Sequence, residues 1–434
     1  MKLKITLLVL LLVAVFGCAT KKEKKVKLVI YMAWSNASDP NKVIIRNMAN
    51  RFEKKNPGYV VQIGEMNRQN WGKILSMIAS GEQIDLFELP PNHLYNFYKK
   101  GVVQDLDRFF EKDPALLSSI HHRVREVMKL NGKIVTFAKG CQTMGIYYNK
   151  DLFEKFGLPA PDDSINWTQC MELANKFTLH ANKEGNTSYG LSTLLLRHYL
   201  ISEGYSMPNV SYFPVSSDWK KMLLTDPDVL KKTAWLYDWS YFTHKTVPTP
   251  YELQDTSTTE LFQTGRIALF FASAYTRSVL RNEVGARFKW DVIGVPKGSD
   301  GVRRSDFYSH CWVMSSKTKY PEAAWKFMKM IAGPDGAKQF VSRGIDLPIF
   351  TTKESIGAFF NSAPLPPNQK VLLDSLDSIS ITPLYRVEVQ GIKELNNEIN
   401  YKILEQKTVE PILKQYQEKY QKLLDNFREE YELN

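Results

Sequence analysis

Between Leu28 and Leu89 the chain alternates short apolar runs with amphipathic stretches, and this pattern restricts the fold more than any other feature. Residues 28–34 read as a buried strand that ends in a polar turn over 35–41. A helix follows, with Ile45, Met48, Ala49 and Phe52 on one face and Lys and Arg on the other, and Asn56-Pro57-Gly58 stops it. Residues 60–63 form the next strand. A second helix carries Ile74, Leu75 and Ile78 and stops at Gly81, and a strand over 84–89 closes the unit. This βαβαβ order predicts an α/β fold with a parallel sheet, whose ligands sit beyond the carboxyl ends of the strands. Trp34, Ser35, Glu88 and Leu89 occupy those ends. At 434 residues the chain exceeds the size at which one core stops growing, so two lobes are expected.

Further along, Asn131-Gly132 predicts a tight turn leading to strands over 134–138 and 144–148. Helices dominate 167–242. Strands are expected over 267–271 and 292–295, the second closed by Pro296. A helix pair over 321–340 breaks at Gly333-Pro334, and a last helix over 411–431 carries the stripe Ile412, Tyr416, Tyr420, Leu423, Leu424 and Phe427.

The N-terminus addresses the compartment. Lys2 and Lys4 precede an apolar run from Ile5 to Phe16, the length and flanks of a secretory leader and too short for a membrane span. Val15-Phe16-Gly17-Cys18 resembles a bacterial lipobox, which makes residues 1–17 a signal peptide and Cys18 the lipidated first residue of the mature chain. An ordinary signal peptide or uncleaved anchor is the alternative. The stretch from Ala19 to Lys27 is lysine-rich and nearly free of apolar residues, so residues 18–27 read as a basic tether at the membrane surface.

The formal charge of +11 suggests nucleic acid at first. Two of those lysines leave with the leader and five stand in the tether, and no basic cluster marks the remaining body, so no nucleic-acid partner is expected. Apart from Cys18, three cysteines remain, Cys141, Cys170 and Cys311, and an odd number builds no disulfide framework. Neither CxxC nor a zinc-type Cys/His spacing occurs, so neither metal nor cofactor is expected.

Four blocks then occur in an order that resembles the extracellular solute-binding proteins of ABC importers, the family of maltose- and other sugar-binding proteins. They are MANRFEKKNPGYVVQI from Met48 with IASGEQIDLFEL from Ile78; NGKIVTF from Asn131 with YYNKDLFEKFGLPAP from Tyr147; LFQTGRIALFF from Leu261 with IGVPKG from Ile293; and YPEAAWKFMKMIAGPDG from Tyr320 with Leu347-Pro348. The resemblance implies a two-lobe periplasmic-binding-protein-like fold with interleaved lobes. It places an N-terminal lobe at 28–138 plus 313–347, a C-terminal lobe at 139–308 plus 348–434, and hinge crossovers near 138–142, 308–313 and 347–350. It implies a monomer that captures a sugar or oligosaccharide in the cleft and hands it to the transmembrane subunits of a permease.

A sugar presents an apolar face and a rim of hydroxyls, so its site needs flat aromatics and in-plane polar groups. The candidates are Trp34, Tyr275, Trp312 and Tyr385 for stacking, with Ser35, Glu88, His93, Gln142, Ser273 and His310 for hydrogen bonding. Tyr275 follows the GRIALFF block where relatives place a stacking aromatic, and Gln142 holds a crossover position where relatives carry a ligand-contacting carboxylate or amide. Trp34 is equally suited to capping the core, and strand alternation offers to bury Trp312. For the polar candidates, capping or solvated roles stay open. Ser309 stands beside Ser273 and His310 at the cleft-facing strand ends, and Arg197, His198 and Arg343 are weaker candidates.

His310-Cys311 stands where relatives carry small residues, and Pro90-Pro91 stiffens the loop after Leu89. The family fold brings Cys141 and Cys311 near each other, close enough for a bridge. The chain carries no HExxH, GxSxG or Walker loop, and no catalytic residue is assigned. Two carboxylates across a cleft suffice for a glycosidase, however, so a cell-surface glycosidase or lyase is the rival reading, beside a binding or sensor lipoprotein for another polar solute such as a sugar phosphate.

Overall fold

The computed structural model describes residues 25–34, 39–67, 70–183, 187–208, 211–362, 366–381 and 391–430. The leader and Cys18 lie outside them, as do Ser35, Tyr385 and the side chains of Trp34 and His310.

The first lobe begins with the expected unit. Strand β1 (Val26–Trp34) pairs in parallel with β2 (Tyr59–Asn67) on one side and β3 (Leu86–Leu89) on the other. Leu28, Ile30 and Met32 are fully buried, as suits a central strand covered on both faces. Helix α1 (Pro40–Lys55) starts at Asp39, whose Oδ1 accepts from the Asn41 amide at 3.0 Å, has Pro40 in its first turn, and ends on Lys54 and Lys55. Helix α2 (Gly72–Ala79) and helix α3 (Pro91–Lys99) follow β2 and β3, and α4 (His122–Val127) lies near the end of this first pass.

The chain then enters β4 (Phe137–Asn149) through a hairpin whose turn residues, Asn131 and Gly132, both hold positive φ. Here the sequence suggests two strands, over 134–138 and 144–148, and the structure has one strand of 13 residues across the gap. Lys139, Gly140, Gln142 and Thr143 break the apolar pattern, yet Lys139 and Thr143 are buried and the polar groups meet partners from other segments. Over 137–143 β4 pairs with β8 (Phe307–Met314), and over 144–149 with β6 (Ile267–Ser273) and β7 (Trp290–Gly294). Strand β5 (Tyr189–Leu191) completes an eight-stranded mixed sheet ordered β2-β1-β3-β8-β4-β6-β5, with β7 beside β4.

The region expected to be mainly helical holds α5 (Trp167–Lys183), α6 (Leu196–Ser202) and α7 (Pro227–Tyr237), but the described residues between Ser202 and Pro227 are irregular. Helix α8 (Thr276–Glu283) follows β6. The pair α9 (Pro321–Ala332) and α10 (Pro334–Val341) breaks at Gly333 and packs on α1 and β4. Helix α11 (Lys353–Asn361) packs on α10, and the Thr351 amide donates to Ser119 O at 2.9 Å. Residues 349–361 therefore lie against Ser119 and α10, while the Phe359 ring also meets the Arg277 guanidinium at 4.1 Å. The chain returns to the second lobe at α12 (Lys370–Asp374) and the 3-10 turn Ser375–Ser378, and closes with α13 (Ile392–Gln406) and α14 (Glu410–Glu430).

One core cluster runs from Leu28, Ile30 and Phe52 through Phe137 and Leu347 to Phe262 and Leu280, and separate clusters cover the outer faces of the two lobes. The three expected crossovers lie side by side: Ser309 pairs with Cys141, and the Leu347 amide donates to Cys141 O at 2.9 Å. Cys141, Cys170 and Cys311 are all buried, and none of them is in a disulfide. The proposed Cys141–Cys311 bridge is thus not formed; the register sets Cys311 opposite Ala138 and Cys141 opposite Ser309.

Candidate functional site

Strand direction locates the cleft. β3 runs toward Leu89, opposite Cys311 of β8, and β6 runs toward Ser273, opposite Met144 of β4. The carboxyl ends of strands from the two lobes therefore point at each other across the β4–β8 crossover, where Tyr308 pairs with Gln142. Loops at both ends converge on one strip, the place where α/β sheets hold ligands.

On the second lobe, Ser273 is half-buried at the end of β6 and its carbonyl accepts from the Tyr147 hydroxyl at 3.0 Å. Tyr275 caps the N-terminus of α8 and is 43% exposed. Tyr308 is also 43% exposed, and its hydroxyl donates to Asp306 Oδ2 at 3.3 Å. That carboxylate is buried and pairs with Arg197 Nε at 2.9 Å; Arg197 also donates to the carbonyls of Pro208 and Ser211. Burial disfavours the Asp306 charge, but the Arg197 guanidinium wins and holds its pKa below the usual value. The Asp306 charge, then burial, raises the Tyr308 hydroxyl. His198 packs 4.3 Å from the Phe271 ring, and burial pushes its pKa down to about 4, so it stays neutral at neutral pH.

At the crossovers, Gln142 Nε2 donates to Asp346 Oδ1 at 2.9 Å and to Ile345 O at 2.6 Å, and its Oε1 is buried without a hydrogen-bond partner. Ser309 is buried, with its hydroxyl donated to Gly140 O at 2.8 Å. The His310 backbone sits at a bulge in the β8–β4 ladder. On the first lobe, His93 is half-buried in the first turn of α3, 6.0 Å from Trp71 and with Nε2 3.3 Å from Asn92 Nδ2.

Two candidates belong to the interior. Trp312 is fully buried in the core because its position on β8 turns the indole inward, so it offers no face to a ligand. Glu88 is 2% exposed and pairs with Lys139 Nζ at 2.9 Å, while that ammonium sits 4.7 Å from the centre of the Phe340 ring. Its carboxylate is engaged across the crossover instead of lining a wall. Sequence reasoning missed Asp306, Tyr308 and Asp346. The available signal was Asp306-x-Tyr308, a polar and an aromatic residue two apart at the start of a strand, where alternation gives them one face.

The profile described as bacterial extracellular solute-binding protein matches residues 47–367. The chain belongs to this family. As an extracellular solute-binding protein it is 24% identical over 360 residues to a putative ABC transporter periplasmic-binding protein of Escherichia coli, covering 79% of this chain and 78% of that one. Among solved structures it is similar to an ABC substrate-binding protein from Listeria monocytogenes in complex with cycloalternan, at TM-score 0.74 and 23% identity, over 93% of this chain and 98% of that one. UgpB from Mycobacterium tuberculosis in complex with glycerophosphocholine superposes at TM-score 0.72 and 17% identity, over 93% and 98%. The shared fold is that of two-lobed binding proteins, and the family is one of binding proteins exported from the cytoplasm.

Proposed function

We propose that this solute-binding protein captures a neutral hydroxylated solute, a sugar or oligosaccharide, between its lobes and delivers it to an ABC permease. The observation that carries the reading is the pair of exposed rings, Tyr275 and Tyr308, at converging strand ends beside polar groups already fixed by hydrogen bonds. Aromatic faces stack on the C–H face of a sugar, and Ser273, Gln142, His93 and the crossover backbone supply the hydroxyl partners. Trp34, Ser35, His310 and Tyr385 stay candidates at the same cleft on the grounds given by the sequence. Relatives of this fold in complex with cycloalternan and maltose support a carbohydrate.

A relative in complex with glycerophosphocholine keeps a phosphate ester as the second reading. The charges near the cleft favour the first. Arg197 pairs with the buried carboxylate of Asp306 and Lys139 with that of Glu88, so a phosphate would have to compete with groups that are already there. The lobes comprise 28–138 plus 313–347 on one side, and 139–308 plus 348–434 on the other, with bending at the three crossovers. The first extra contacts made on closure select the closed state. Cys18 carries the lipid and residues 18–27 the tether, and the protein works as a monomer that binds without turnover.

A thermal-shift screen of sugars, polyols and phosphate esters tests this. A solute at about 100 times its Kd adds about 2.7 kcal/mol to the folded state. Neutral saccharides are expected to raise the melting temperature; a response confined to phosphate esters would overturn the neutral-ligand reading. New reducing ends on incubation with oligosaccharides would make the protein an enzyme.

A further inference from the structure

We propose that His121, His122 and Asp377 form a binding site for a divalent transition-metal ion, and that this ion clasps the two lobes together away from the ligand cleft. Their ligand atoms all lie within 4.8 Å of one another. His121 Nε2 stands 3.2 Å from Asp377 Oδ1, and the two imidazole rings stack at 4.7 Å between centroids and 28°. Tetrahedral zinc with bonds of about 2.0–2.2 Å sets its ligands about 3.3–3.6 Å apart, so the His121–Asp377 pair at 3.2 Å already lies close to one edge. Rotation of the exposed His122 ring supplies the next corner, and water completes the shell.

The backbone places these groups for a reason separate from binding. The His121 amide donates to Ile349 O at 2.7 Å, which fixes the start of α4 against the third crossover. Asp377 lies in the 3-10 turn Ser375–Ser378, tied to the second lobe by the Ser305 amide donating to Ser378 O at 3.1 Å. The two histidines therefore travel with the first lobe and the carboxylate with the second. The nearby Arg123 opposes a cation, but Glu126 neutralises it at 2.5 Å and its other arm donates to Ile379 O at 2.6 Å. Imidazole, imidazole and carboxylate suit zinc or nickel better than calcium or magnesium.

Because its ligands come from both lobes, an ion held here stabilises the lobe arrangement that keeps them together and opposes any that separates them. The test is calorimetric titration of Zn²⁺ into tag-free protein freed of metal with EDTA. One saturable site is expected. His122→Asn and Asp377→Asn, both at exposed positions, are each expected to weaken it at least tenfold while circular dichroism and melting of the metal-free protein stay unchanged. Absence of a saturable site, or affinity unchanged in either variant, would overturn the proposal. The metal-free variants should keep the thermal-shift response to solutes, so failure here is separate from failure of the cleft reading.

Discussion

Exposure decides what an aromatic side chain contributes, and Tyr275 and Trp312 stand at the two extremes. Tyr275 keeps 43% of its surface open, whereas Trp312 keeps none. Truncating a buried Trp removes its transfer energy and leaves a cavity, so Trp312→Ala is expected to cost about 3–5 kcal/mol in urea unfolding. Tyr275→Ala should leave apo unfolding nearly unchanged and weaken solute binding by about tenfold or more; a large apo loss would assign Tyr275 to the core instead. His198 adds a pH signature. Its folded pKa of about 4 lies below the usual value of 6.5, so the unfolded chain takes up the proton first on acidification. The contribution is complete above pH 6.5 and is lost as pH falls from there toward 4. Burial of Asp306 is compensated by Arg197 and its pKa is lowered too, which steepens the loss at the acid end. Melting temperatures recorded between pH 7 and pH 4.5 should fall less for His198→Gln than for the parent protein, and parallel curves would remove His198 as the cause.

Among the elements, the crossover strands carry the most consequence per residue. Gly140 lies on β4 where an added Cβ would come 2.5 Å from Asp346 Cβ, so the first and third crossovers touch through a missing side chain. Gly140→Ala must push Asp346 and its bond to Gln142 away, at a cost of about 1–3 kcal/mol. Chemical unfolding should show that loss, and an unchanged midpoint would mean the third crossover yields freely. The βαβαβ unit was legible because β1 and β3 are buried on both faces and α1 has a clear cap and stop, so period and punctuation agree. β4 was not legible as one strand, because its polar middle finds its partners at Glu88, on β8, over 345–347 and at Leu372, far away in sequence. The same distance hid Asp306 and Tyr308. Glu88 was misplaced for a related reason: nothing local shows that Lys139, 51 positions on, neutralises it within the interior. Helix α13 escaped because only Ile392, Asn396, Ile399 and Ile403 are buried along 15 residues that otherwise read as polar.

At the scale of the whole molecule, the lobes share one mixed sheet and one inner core. The inner cluster that begins at Leu28 and Ile30 passes beneath the crossovers and reaches Phe262, Phe270 and Leu280 without a break. Three chain crossings and one shared core oppose independent unfolding, since exposing either lobe also strips apolar surface from the other. Closure over a solute must then arise from bending within the crossover segments, where β8 carries its bulge between His310 and Cys311 and pairs with β4 over a short span. The consequence is testable in the apo protein. Calorimetric unfolding is expected to be one transition, with calorimetric and van't Hoff enthalpies in a ratio near one. Tryptophan fluorescence should report the same midpoint as far-ultraviolet circular dichroism, because Trp312 and Trp325 lie in the shared core and Trp167 in the outer core of the second lobe. A bound solute should shift that single transition upward as a unit, whereas two separated transitions, with only one moved by the solute, would show that the shared core does not couple the lobes.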